Sequence, residues 1–325
     1  MTIVDLQDPA QAKRKRVPTT LKVRLKTNNL VKARLCVRGD VMKGAQFHSF
    51  LSAPTADRHL LKILLSIAAW KYYEVVTCDI SQASLQPDYL PENQKYIALP
   101  PPCVVLSSLS WDGTMSSESV AKQQRNERYA FLRHKPIYVS TDAPLRWYTK
   151  FARHLGRFQY YPRKVDLCLF SKRNALAGEL VAVLVLHVDD IIMTGTIEEH
   201  AALLKCLDGF KHGDVQKLQQ KGSIVYCGLT LVRKDSSIGM TQGDFRPSIQ
   251  AVRRKDVIGP DSHLRSIDSL RSAIKAYVGC LIWMLRSRYD SSYWVVLLST
   301  SVGTVLADTS LLPEFLLNCE KRRRS

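Results

Sequence analysis

The run from Val181 to Gly195 constrains this chain most: six apolar residues through Leu186, then His187-Val188-Asp189-Asp190, then Ile191-Ile192-Met193 before Thr194-Gly195. A continuous apolar run bounded by turn signals reads as a buried strand, and two of them around a short polar interruption read as a hairpin. This hairpin carries adjacent acids at its tip. Burying two like charges costs several kcal/mol unless a cation or another partner compensates. Hard carboxylate oxygens suit Mg²⁺, and two such ions roughly 3.5–4 Å apart can align and activate an attacking hydroxyl and stabilise a leaving pyrophosphate. An isolated Asp-Asp is otherwise an ordinary exposed turn.

A second segment changes the balance. Tyr72 to Ile80 is rich in β-branched and aromatic residues and predicts a core strand ending at Asp79. Neighbouring strands would then bring Asp79, Asp189 and Asp190 to one sheet edge. That placement predicts nucleotidyl transfer.

Charge points to the same class of partner. The 325 residues include 47 Lys and Arg against 29 Asp and Glu, a net charge of +18, which favours a polyanion through counterion release. Nucleic acid is the first expectation and an anionic membrane surface its competitor. Ser291 to Ala307, the longest apolar run, falls short of the roughly 20 residues of a spanning helix. The amino terminus lacks the pattern of a secretory signal, so an intracellular protein is expected, in a cytoplasmic particle, the nucleus or both. Eight cysteines stand without one CxxC pair and eight histidines without a cluster, so neither a zinc knuckle nor a redox motif is expected.

Between Lys13 and Arg38 lie ten basic residues and no acidic one, with strand-like alternation through Leu21, Val23 and Leu25 and again near Val31 to Val37. This predicts a basic hairpin. Helices are expected over Leu60 to Trp70, over Pro144 to Leu155 with Trp147, Phe151 and Leu155 on one side, and over Glu198 to Phe210. A further helical stretch through Leu85, a strand over Ile224 to Val232, a Ser-rich surface loop over Ser107 to Gln124 and a mostly helical segment from Ser262 onward complete the expectation.

In this order the residues resemble the reverse transcriptase region of copia-type retrotransposon polyproteins. Lys32-Ala33-Arg34-Leu35-Cys36-Val37-Arg38-Gly39 is similar to the family's opening strand, and Cys78-Asp79-Ile80-Ser81-Gln82-Ala83 to its first catalytic motif. Asp142-Ala143-Pro144-Leu145-Arg146-Trp147-Tyr148, Asp166-Leu167-Cys168-Leu169-Phe170 and the His187 to Gly195 stretch follow in family order. Tyr226-Cys227-Gly228-Leu229 and Tyr277 to Trp283 with Arg288-Tyr289-Asp290 complete the collinear series.

The resemblance implies an α+β right-hand polymerase copying RNA into DNA from an RNA template, a DNA primer and dNTPs, with Mg²⁺ or Mn²⁺. It divides the chain into a basic segment and fingers over 1–72, a palm over 73–235 with a fingers segment and insertion about 96–140, and a helical thumb or connection over 236–325. Asp79, Asp189 and Asp190 would be catalytic and metal-binding, Asp190 having a plain turn carboxylate as its alternative. Lys32 and Arg34 would hold the incoming triphosphate, or be ordinary basic strand surface, with Ile80 and Ser84 also on the substrate side. Arg146 and Trp147 would lie toward the template, packing being the favoured role for Trp147. Gly228 would approach the primer end, unless it marks a simple bulge. RNase H and integrase portions of a parent polyprotein are expected partners, because their motifs are absent from these residues.

Departures from the family temper this reading. Ser84 stands where an aromatic residue normally lies beneath the incoming sugar, so rejection of a ribose 2′-hydroxyl should weaken, with mutational decay of an unselected copy favoured over altered specificity as its explanation. His187 replaces the usual Tyr or Phe: neutral it packs, protonated it competes with a bound cation. Tyr138-Val139-Ser140 lacks the family's glycine after tyrosine, and the Gly-Phe ahead of Asp166 is blurred. These changes leave a rival, a catalytically inactive retroelement-derived protein that still binds nucleic acid.

Overall fold

The computed structural model describes residues 1–25, 29–39, 52–101, 129–243 and 267–287, with single positions 245, 292, 295, 296, 299 and 300. The Ser107 to Gln124 loop and Arg288-Tyr289-Asp290 lie outside these residues, as does most of Ser291 to Ala307. The chain divides into two compact units, one of residues 1–68 and 73–215 and the other of residues 69–72 and 216–325. Both are mixed in secondary structure.

The first unit opens with β1 (Thr2–Asp5), a short α1 (Pro9–Ala12), β2 (Arg16–Leu25) and β3 (Val31–Val37). The expected basic hairpin is present, with β2 and β3 antiparallel and Leu21 opposite Leu35. Helix α2 (Arg58–Trp70) buries Leu60, Leu61, Leu64, Leu65 and Ala68, the i, i+3, i+4 spacing that gives a helix one apolar stripe. Strand β4 (Glu74–Asp79) follows, then β5 (Ile97–Leu99) and β6 (Tyr129–Leu132). One sheet runs β1-β6-β5-β2-β3, with β2 and β5 parallel.

Helix α3 (Ala143–Arg157) carries Ala143, Trp147, Phe151 and Leu155 inward, one residue every turn or so. Strands β7 (Tyr161–Arg163), β8 (Asp166–Arg173), β9 (Leu180–His187) and β10 (Asp190–Gly195) come next, then α4 (Ile197–Leu207). In the second sheet β4, β10, β9, β8 and β7 lie side by side in that order, and each of these neighbours is antiparallel to the next. Val76, Cys78, Ile80, Leu184, Leu186, Ile191 and Met193 form one core with Trp147, Phe151 and Leu155 of α3 and Leu203, Cys206 and Leu207 of α4. The opposite face is buried too at Val75, Thr77, Val183, Val185, Ile192 and Thr194. Burial on both faces is why β9 and β10 read as unbroken apolar runs rather than alternating ones.

The second unit contains β11 (Gln216–Lys217), α5 (Leu218–Lys221), β12 (Ser223–Tyr226), β13 (Leu229–Lys234), β14 (Ser237–Thr241) and α6 (Ile267–Met284). Two expectations are corrected in this unit and the first. The single strand over Ile224 to Val232 is a hairpin broken at Cys227-Gly228, both with positive φ (46° and 74°), because a tight two-residue turn needs left-handed backbone at both positions. The helical stretch through Leu85 is only a single 3₁₀ turn, Ala83–Leu85, entered through Gln82 at φ 57°.

Candidate active site at the end of the second sheet

The register of the second sheet sets the site. On β10 Asp190 stands opposite Asp79 of β4 on one side and opposite His187 of β9 on the other. Residues directly opposite on paired strands share a face, so His187, Asp190 and Asp79 form a row across three strands. Alternation along β4 and β10 puts that row on the face away from α3 and α4, since Cys78 and Ile191 point into the helical core. Asp79 is exposed and Asp190 half-buried, so the row sits where the buried sheet meets solvent.

Asp189 occupies the turn itself. Val188 and Asp189 are the only residues between β9 and β10, and Val188 adopts φ 60°. Glycine is the usual residue at such a position; a β-branched one there costs on the order of 1–3 kcal/mol. Hydrogen bonds fix both loop carbonyls. The Trp147 indole Nε1–H donates to the Val188 carbonyl at 2.7 Å, and the Ile80 amide donates to that of Asp189 at 2.8 Å.

The electrostatics follow from this crowding. Burial raises the Asp189 carboxyl above the ordinary carboxylate range, the negative charges of Asp190 and Asp79 raise it further, and His187 opposes them. Behind the row, burial and then Asp79, Asp190 and Asp214 push the Cys78 thiol up to about 11, so it is an inert core thiol. A cation would relieve this accumulation of negative charge, and the oxygen donors suit Mg²⁺ or Mn²⁺. As the side chains stand, however, no group of three or more His, Cys, Asp or Glu among the described residues is arranged to hold a metal ion. The backbone brings the acids to one place; the side chains do not close a cage.

The other expected site residues fall in three places. Ile80 is fully buried, so it serves the site through its backbone amide and not its side chain. Ser84 lies half-buried on the 3₁₀ turn that follows β4. Trp147 is 3% exposed, stacked on Phe151 at 5.1 Å and edge-on to Phe210 at 5.4 Å, so it packs and holds the hairpin tip and offers no free ring to a base. Arg146 is bonded to Asp142 at 2.7 Å and to Gln94. Lys32 and Arg34 are exposed on the β2–β3 ribbon, in the other sheet of this unit, opposite Arg24 and Lys22. Gly228 belongs to the second unit, where a Cβ added to it would come within 3.0 Å of the Trp283 ring.

Sequence reasoning missed two features. The Gly213 amide donates to the Asp79 carbonyl at 2.8 Å, which brings the segment carrying Asp214 beside the acid row, and no local pattern marks it. Asp142 also accepts from the fully buried Arg133 at 3.2 and 3.4 Å, an ion pair anchoring the start of α3. Only the Asp before Ala143-Pro144, a common helix-start residue, hinted at it.

Known proteins share parts of this chain. The sequence is similar to a retroelement Pol polyprotein. That relative is the retrovirus-related Pol polyprotein from transposon TNT 1-94 of Nicotiana tabacum, 28% identical over 207 residues. The similarity covers 63% of this chain and 14% of the relative, so the chain spans a small part of that polyprotein's length. No protein-family model matches. Among solved structures, apo telomerase from Candida tropicalis, truncated from its C-terminal domain, is similar at TM-score 0.40 and 8% identity, over 74% of this chain and 57% of that one. Telomerase from Candida albicans in complex with a TWJ fragment of telomeric RNA is similar at TM-score 0.41 and 9% identity, over 99% and 65%. Likenesses this distant carry no weight for the function of this chain. Among the described residues no helix is long and apolar enough to cross a membrane.

Proposed function

We propose that this chain is the reverse transcriptase module of a retroelement Pol polyprotein, an RNA-directed DNA polymerase taking an RNA template, a DNA primer and dNTPs. The observation that carries the reading is the β4–β10 register, with Asp79 opposite Asp190 and Asp189 in the adjoining turn. In this reading Asp79, Asp189 and Asp190 would hold Mg²⁺ or Mn²⁺, which would supply activation of the primer hydroxyl and offset charge on the departing pyrophosphate. The buried core behind the sheet keeps the strand ends rigid, and the two bonded loop carbonyls keep the acids at the sheet edge.

The β2–β3 ribbon supports a polyanionic substrate independently. Lys22 faces Arg34 and Arg24 faces Lys32, pairs of like charges directly opposite one another. Such pairs destabilise a ribbon in isolation, and phosphates lying along that face reverse the sign. Lys32 and Arg34 are therefore the triphosphate or backbone contacts. Ser84 leaves room near the sugar, so this polymerase accepts rNTPs more readily than one with an aromatic residue there.

A second reading, nucleic-acid binding without synthesis, is favoured by the open side-chain arrangement of the acids. Primer extension on an RNA template, with Mg²⁺ and separately Mn²⁺, distinguishes the two. The polymerase reading expects extension that Asp189→Asn abolishes; RNA binding without extension under broad conditions establishes the second reading instead.

A further inference from the structure

We propose that Trp147 is a positioning residue for the acid-bearing hairpin: its indole N–H fixes the Val188–Asp189 peptide and thereby the backbone from which Asp189 and Asp190 project. The role in synthesis rests on the polymerase reading; the clamp itself is a property of the fold.

Val188 holds a left-handed backbone that a β-branched residue abandons unless its surroundings over-determine it. Its own side chain does not hold it, being 51% exposed. What holds it is the 2.7 Å bond from Trp147 to the Val188 carbonyl on one side and the Ile80 amide on the next carbonyl. Trp147 is itself buried and closely packed. Phe151 and Phe210 enclose its ring, and Arg133 and Arg146 bind the Asp142 carboxylate at the start of the same helix. A residue needed only to fill the core at this position would require no donor. Here the donor ends on the two-residue turn that carries Asp189 and leads directly into Asp190 at the start of β10.

Trp147→Phe keeps a ring between Phe151 and Phe210 and deletes only the N–H. In primer extension kcat should fall about tenfold, the rate equivalent of one hydrogen bond of ordinary net strength, while the dNTP KM and the melting temperature move little. Glycine takes positive φ freely, so the same change in a Val188→Gly background should lose much less. A kcat within about twofold of wild type, a size worth less than one hydrogen bond, overturns the proposal. So does equal loss in both backgrounds. Two measurements on the full chain do not depend on synthesis. In the wild type, a through-hydrogen-bond NMR coupling between the Trp147 indole nitrogen and the Val188 carbonyl is expected, and its absence overturns the clamp whether or not the variant folds. Amide exchange at Asp189 and Asp190 should quicken in Trp147→Phe, and unchanged exchange overturns it likewise. If the wild type extends no primer, the polymerase reading fails while these two signals still decide the clamp.

Discussion

Removing the charge of Asp142 should destabilise the first unit severely. Arg133 is fully buried and Asp142 is 5% exposed, so the guanidinium depends on this carboxylate for its neutralisation. Its other contacts are a bond from Nε to the Lys135 carbonyl at 2.7 Å and the face of the Tyr96 ring at 4.3 Å, and its Nη1 already lacks a partner. In Asp142→Asn the guanidinium keeps its burial and loses its counter-charge, a change that costs about 3–5 kcal/mol. At about 2–4 °C per kcal/mol for a unit of this size, the melting temperature should fall by about 6–20 °C. Urea unfolding followed by tryptophan fluorescence and calorimetry would measure both. The reasoning also fixes the sign of a cycle: Arg133→Met with Asp142→Asn removes the stranded charge, so the double variant should be more stable than Asp142→Asn alone. An Asp142→Asn loss below about 1 kcal/mol, the scale of an exposed ion pair, or a double variant less stable than the single, would refute the claim that the stranded cation sets the cost.

Three further outcomes are expected. Because the folded protein raises the Asp189 carboxyl, mainly by burial, its ionised form is disfavoured, and this term weakens the fold as pH rises from the unfolded carboxylate range through the folded pKa. Asp189→Asn should therefore melt higher than wild type at neutral pH and lose that advantage in acid, and Mg²⁺ or Mn²⁺ should raise the wild-type melting temperature far more than the variant's. Gly228→Ala forces a side chain onto φ 74° and into the Trp283 ring, so thermal denaturation should show a loss of about 1–2 kcal/mol, whereas Cys227→Gly at φ 46° should not destabilise the turn. Replacing Lys32 and Arg34 by Gln removes two cations from the ribbon, and the slope of log affinity for single-stranded RNA against log salt should shrink by about 1.4; an unchanged slope would remove the ribbon from the interface.

Much of the frame was legible because burial writes itself into residue order. The apolar runs of β9 and β10 and the four-residue beat of Trp147, Phe151 and Leu155 each report a face hidden from water, whereas the alternation of Leu21, Val23 and Leu25 marks the strand correctly although all three side chains are exposed. The Cys227-Gly228 turn was harder to read, because cysteine is not a turn-former and its positive φ is imposed by the hairpin around it. The 3₁₀ turn at Ala83 likewise gave no signal, since three residues are too few for any period.

By itself, the order of residues determined that two strands would end in acids, that a third acid would stand beside one of them, and that a basic ribbon would accompany them. Only tertiary structure decided that Asp190 pairs with Asp79 and His187, that Asp214 comes alongside, that Arg133 lies buried on Asp142, and that Trp147 turns inward to the Val188 carbonyl. The division has a physical cause. Hydrophobic periodicity is a local property of the chain, whereas strand register, ion pairing and the aim of a single hydrogen bond depend on segments tens of residues apart.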